Sequence, residues 1–133
     1  MTNLKTLNQS AVSKILSPTS PLGIVLVGIS AFIPDETLAQ TLDNLYDWVP
    51  KGSFLALDFD GEAAVDYPKL LQLLQDIGAP LFMRNPTNFL SLLGRWQLTK
   101  HGILPVENWQ IEVSTDSFEI QQPVFSYGCV VYK

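Results

Sequence analysis

The sequence predicts an α/β protein with a largely parallel sheet, helices against it and an antiparallel last strand. Three observations carry this. Gly23-Ile24-Val25-Leu26-Val27-Gly28-Ile29 is a continuous apolar, β-branched run. Continuous rather than alternating apolarity marks a strand covered on both faces, as in a parallel sheet. Leu38, Leu42, Leu45 and then Trp48 or Val49 follow at helical spacing. A second apolar run, Ser53-Phe54-Leu55-Ala56-Leu57-Asp58-Phe59, comes next, so strand, helix and strand read as one crossover unit.

Around that unit the chain divides in order. Leu4, Leu7, Val12, Ile15 and Leu16 space as a loose helix that stops at Ser17-Pro18-Thr19-Ser20-Pro21. Residues 1–21 are therefore expected to form an amino-terminal helix and linker, and residues 22–133 a single α/β domain. Asp35 is expected to cap the helix that follows Pro34, its charge favouring the positive end of the helix dipole. Pro50-Lys51-Gly52 ends that helix, and Asp60-Gly61 closes the second strand. Pro68 to Ile77 reads as a helix with a stripe of Leu70, Leu71, Leu73, Leu74 and Ile77, stopped by Gly78. Asn85-Pro86-Thr87 opens a short helix over Asn88 to Leu93. Trp96-Gln97-Leu98, Ile103-Leu104 and Trp109-Gln110-Ile111-Glu112-Val113 read as short strand material, and Ser126 to Tyr132 as the final strand.

Composition bounds the function. The 133 residues, 47% of them hydrophobic, suffice for one core and not two. Only 16% are charged, which suits a protein that hides surface against a partner. The net charge is −5 and the eight basic residues are scattered, so no basic stripe exists to displace counterions from a nucleic acid. Cys129 is the only cysteine, so an intrachain disulfide is excluded and a reducing, cytoplasmic setting is expected. No charged-then-apolar leader opens the chain. The longest apolar run, Leu22 to Ile33, falls short of the ~20 residues a membrane helix needs, so no membrane role is expected.

Several segments, in order, resemble one family. Leu26-Val27-Gly28-Ile29-Ser30-Ala31-Phe32-Ile33-Pro34-Asp35 is similar to a strand running into a Leu-His-Phe-(apolar)-Pro-Asp turn, and Gly52-Ser53-Phe54-Leu55 to a strand beginning Gly-Ser-Tyr-Leu. Met83-Arg84-Asn85-Pro86 resembles an arginine-bearing turn before a helix. Leu98 to Trp109 resembles a Glu-Pro-Gly-Val-Val-Pro-Val…Trp segment, and Tyr127 to Lys133 a closing strand that ends near a basic residue. These are features of the S-adenosyl methyltransferase family best known from actinobacteria, and the resemblance covers roughly residues 22 to 133. It implies a partial Rossmann-like methyltransferase sheet with strands equivalent to the fourth, fifth, seventh and sixth, and S-adenosylmethionine as the cofactor. Two departures stand out: Ala31 where the family commonly has histidine, and Asp58-Phe59 in place of a Ser-His pair.

The resemblance also exposes a gap. In that fold a glycine-rich turn after the first strand takes the methionine part, and an acidic residue ending the second strand takes the ribose, as in dinucleotide-binding turns. No Gly-x-Gly-x-Gly is present. The chain thus matches the carboxyl-terminal half of the fold, and strand 24–29 is expected to be an open edge that invites a neighbour. A second copy, a separate polypeptide or an added segment can cover it, and a homodimer or a partner polypeptide is expected there.

Site candidates follow from position. The turn Ser30-Ala31-Phe32, after a parallel strand, is the candidate cofactor edge, with Asp35 and Arg84 as candidate substrate-binding residues. Asp35 can equally be a helix cap, and Arg84 can pair with a neighbouring acid. Asp58 and Asp60 are candidate general bases toward a small-molecule acceptor, although two acids beside a glycine turn are commonly just solvated and no third ligand makes them a metal site. His101, the single histidine, is a candidate base near neutral pH or simply an exposed loop residue. Cys129 is expected to be core, and Trp48, Trp96 and Trp109 packing anchors. The functional expectation is a methyltransferase-like chain that acts when another half is supplied. Its alternatives are a non-catalytic dimerisation or protein-binding module of the same descent, and an unrelated small α/β domain.

Overall fold

The computed structural model describes residues 19–109 and 124–133. The expected amino-terminal helix and the strand material at Gln110 to Val113 lie outside those residues. Strand β1 (Gly23–Leu26) leads through a 3-10 turn at Ser30–Phe32 into helix α1 (Asp35–Trp48), and β2 (Phe54–Asp60) follows. A second 3-10 turn (Glu62–Asp66), helix α2 (Pro68–Asp76) and helix α3 (Pro86–Leu92) come next. Strand β3 (Gln97–Pro105), a 3-10 turn at Val106–Trp109 and strand β4 (Ser126–Tyr132) complete the order.

The sheet runs β1-β2-β4-β3. β1 and β2 are parallel, with Ile24 beside Leu55 and Leu26 beside Leu57. β4 inserts antiparallel between β2 and β3, pairing Leu57 with Cys129 and Leu55 with Val131. Mapped onto the family's strand numbers this is four-five-seven-six, the order the resemblance implies.

Among the described residues the core sits on one face of the sheet. Leu55, Leu57 and Phe59 of β2, with Cys129 and Val131 of β4, pack under Leu38 and Leu42 of α1 and Phe89 of α3. Phe59 stacks on Phe89 with ring centroids 4.0 Å apart. Trp96 is buried, and its indole N–H donates to the Leu42 carbonyl at 2.9 Å, tying the end of α3 to α1.

Two local devices fix the strand ends. Ser53 is fully buried: its hydroxyl accepts from the Leu22 N–H at 3.0 Å and donates to the Pro50 carbonyl at 2.7 Å. Lys133 donates from Nζ to the carbonyls of Tyr46 and Val49, at 2.7 and 2.8 Å. A cation at the carboxyl end of α1 satisfies carbonyls that the helix cannot and opposes the negative end of its dipole.

Four expectations need correction. Among the described residues nothing covers the second face of β1: Val25 is 71% exposed and Val27 55%, while α1 and α3 pack on the other face. Gly28 does not lie within the strand. It takes φ +72° just beyond it, a left-handed conformation that suits glycine. Asp35 is not a cap. Pro34 holds the cap position, and Asp35 is the first helical residue with its carboxylate turned to Arg84. His101 does not sit in a turn between short strands, because Gln97 to Pro105 is one strand. That strand tolerates polar residues by bulging: β3 advances from Leu98 to Ile103 while β4 advances only from Val131 to Cys129.

Candidate functional site

The carboxyl ends of β1 and β2 lie side by side, and the loops that leave them are clamped together by one arginine. Arg84 is 2% exposed. Its Nε donates to Asp35 Oδ1 at 2.7 Å, one terminal nitrogen donates to the Ser30 carbonyl at 2.9 Å, and the other donates to the Ile33 carbonyl. Its own backbone N–H donates to the Asp60 carbonyl at 2.9 Å, and the Phe82 N–H donates to the Ala31 carbonyl at 2.7 Å. The segment before α3 therefore holds the turn after β1 in shape. Within this arrangement the Arg84 side chain reads the turn and Asp35, the alternative in which it pairs with a neighbouring acid.

Asp58 and Asp60 project from the end of β2 on the face away from the core. Asp58 Oδ1 accepts the Gly28 N–H at 2.8 Å, so its carboxylate steadies the left-handed residue that ends β1. The Asp58 carbonyl accepts the Ser30 hydroxyl. Asp60 Oδ1 accepts the Ser126 hydroxyl at 2.8 Å, which tethers the start of β4. Each carboxylate has one oxygen committed to the scaffold, and both remain partly exposed.

Of the three residues proposed for the cofactor edge, Ser30 and Ala31 are buried and Phe32 is 42% exposed. The Phe32 ring is thus the member of the trio that can present a flat apolar surface. His101 stands apart from the others. It is exposed on β3, which is separated from β2 by β4, so roughly 10 Å of sheet intervene. Its ring lies 6.2 Å from Trp109. The structure brings together Ser30, Ala31, Phe32, Asp35, Arg84, Asp58 and Asp60, and leaves His101 out.

Beside Asp60 an open cleft of about 190 Å³ is lined by Glu62, Arg84, Asn85 and Tyr127, among others. Enclosed small-molecule sites run to roughly 300–1,000 Å³, so this cleft is smaller than such a site, and Phe32, Asp58 and Asp60 do not line it. Glu62, Asn85 and Tyr127 were not singled out from sequence. Gly61 was the available signal, since a glycine closing a parallel strand marks a close approach. A Cβ there would lie 2.9 Å from the Val124 carbonyl oxygen and 2.9 Å from the Tyr127 ring.

Does this site fit S-adenosylmethionine? The described residues supply an apolar rim at Phe32 and carboxylates at Asp58 and Asp60. They supply no glycine-rich turn opening a helix, and each carboxylate offers only the one oxygen not held by the scaffold, Asp58 being tied to Gly28 and Asp60 to Ser126. The residues fit the rim of a cofactor site and not its grip.

Comparison with known proteins bears on the fold. A crystal structure of a DUF574 family protein from Streptomyces avermitilis matches at TM-score 0.80 and 20% identity, over 97% of this chain and 50% of that one. A protein from Thermobifida fusca, described as a candidate methyltransferase, matches at TM-score 0.78 and 16% identity, over 98% of this chain and 50% of that one. The chain therefore spans about half the length of these solved structures. No curated protein gives a significant match. The family model described as S-adenosyl methyltransferase matches residues 2–133, and the chain belongs to that family.

Proposed function

We propose that this chain is the acceptor-side half of an S-adenosylmethionine-dependent methyltransferase that works on a small molecule and takes its cofactor grip from another polypeptide segment. The observation that carries the reading is the rim at the ends of β1 and β2. Phe32, Asp58 and Asp60 gather there, where open α/β sheets bind ligands, and among the described residues no glycine-rich turn opens a helix beside them. Methyl transfer depends mainly on holding the sulfonium carbon and the acceptor atom in line. Asp58 and Asp60 can each take a proton from an acceptor hydroxyl or amine through the oxygen not committed to the scaffold. Arg84 keeps the rim in shape through Asp35 and the carbonyls of Ser30 and Ile33. The exposed, distant His101 has no part in this reading. A lone, buried Cys129 suits a reducing compartment such as the cytoplasm.

A second reading, a non-catalytic docking module of the same descent, is favoured by one observation: both carboxylates already serve the scaffold. Calorimetric titration separates the two readings. The chain alone should show no saturable uptake of S-adenosylmethionine up to about 1 mM, a free energy of about −4 kcal/mol. The chain completed by a cofactor-gripping half should bind it and transfer the methyl group. A completed complex that binds cofactor but leaves every acceptor unmethylated when Asp58→Asn and parent are compared would move the assignment to the module.

A further inference from the structure

Deepening the reading just given, we infer that β1 and the bare face beside it form one L-shaped interface, and that its occupant is a polypeptide bringing both a strand and a helix layer, not a second copy of this chain.

Among the described residues the outer edge of β1 has no strand neighbour. The Leu22 carbonyl accepts the Phe54 N–H at 2.8 Å, so by the two-residue period of a strand Gly23, Val25 and Val27 turn their backbone groups outward. Those groups are an open template for pairing. The same residues carry the second arm. On the face opposite α1 and α3, Val25 is 71% exposed, Val27 55% and Phe54 49%, with Ile29 at 49% just beyond the strand. Parallel strands are ordinarily covered on both faces, and among the described residues no helix covers this one. Edge and face meet along β1, so they form a continuous surface.

A second copy cannot cover both arms. Pairing β1 with β1 about a two-fold axis is antiparallel, and that axis stands normal to the sheet. Both helix layers then fall on one side, and the two bare faces merge into a larger exposed apolar surface. Packing face against face buries Val25, Val27 and Phe54 but leaves both edges unpaired. A strand that arrives with its own helices covers edge and face together. The solved structures supply the scale, since each has about as much chain again beyond the part matched here.

The test uses the full chain and, as probe, the half of the Streptomyces avermitilis protein that this chain does not match, co-expressed and purified together with it. Light scattering reads the mass, and hydrogen exchange reads residues 23–29. The expected result is a one-to-one complex in which the amides of Gly23, Val25 and Val27 slow by about 10-fold or more. Val25→Lys with Val27→Lys should weaken that complex by about 10-fold or more while the free chain keeps its unfolding midpoint, since charges at exposed positions cost an isolated chain little and an apolar contact much. Three outcomes overturn the inference: no complex with the probe, a stable homodimer that the double variant converts to monomer, or a monomer in which those amides are already slow, which would mean another segment of this chain covers them. Because the readouts are mass and exchange, a complex that forms but binds no S-adenosylmethionine leaves the interface standing and sinks only the methyltransferase reading.

Discussion

Replacing Arg84 by methionine separates a scaffold role from a ligand-binding one. Methionine keeps much of the aliphatic bulk and removes the three side-chain donors that reach Asp35, Ser30 and Ile33. Hydrogen bonds involving a charged group contribute about 1.5–3 kcal/mol each, and relief from holding a guanidinium out of water offsets part of that. The Ser30 carbonyl also keeps the Ile33 N–H at 3.1 Å, which trims the loss further. The net expectation is about 3 kcal/mol of destabilisation, most of it from the two backbone carbonyls. Asp35 contributes less, because its side chain is 60% exposed although Arg84 is 2% exposed, so water screens the pair and can replace the carboxylate, holding its share to about 1 kcal/mol. With a urea slope of about 2 kcal/mol/M, Arg84→Met should lower the unfolding midpoint by about 1.5 M, and Asp35→Ala by under about 0.5 M. A shift for Arg84→Met below about 0.25 M would show that the turn after β1 holds its shape unaided and refute the clamp. Equal shifts for the two variants would place the energy in the ion pair rather than in the carbonyls.

Three further outcomes are expected. Gly61→Ala should cost about 1–3 kcal/mol by overpacking, because its Cβ would lie 2.9 Å from the Val124 carbonyl oxygen, which cannot yield cheaply; an unchanged thermal midpoint would count against that approach. Lys133→Met should cost about 1–2 kcal/mol and speed exchange in the last turn of α1, since it frees the Tyr46 and Val49 carbonyls and removes a cation 4.8 Å from the Tyr46 ring; unchanged exchange there would contradict the cap. Burial pushes the Cys129 thiol from its ordinary 9.0 up to about 12, so a thiol reagent at pH 8 should label it only after unfolding. The unfolded thiol loses its proton near 9.0 while the folded one keeps it, so stability should fall as pH rises from about 9 to 12 and be flat in this respect below that. A Cys129→Ala variant should lack that component of the decline.

How much was legible in the residues varies with the kind of information each carried. β2, α1 and β4 were readable because their apolar spacing matches the face they bury: Leu38 and Leu42 point at Leu55 and Leu57, and Cys129 and Val131 fall beside them. The strand order was not in any periodicity and came from the ordered resemblances alone. The apolar run at Ile24 to Ile29 is covered on one side only among the described residues, since a sequence shows which surface needs covering and not what covers it. The candidate site was half legible. Position after a parallel strand picked out Ser30 to Asp35 and the two aspartates, but which ones serve the scaffold depends on long-range contacts such as Asp58 to Gly28 and Arg84 to Ile33. β3 looked like separate short pieces because the bulge between Leu98 and Ile103 puts Thr99, Lys100 and His101 where a regular strand would alternate.

The place of β4 has a consequence for how the chain is made. On a ribosome β3 emerges first and finds no partner among the described residues, because its pairing and one side of β2 wait for residues 126–132. Synthesis therefore delivers a loose crossover unit and an orphan strand, and a single late segment zips them into one sheet. A nascent chain stalled before Ser126 should be digested readily by protease, and one released with Tyr132 in place should resist.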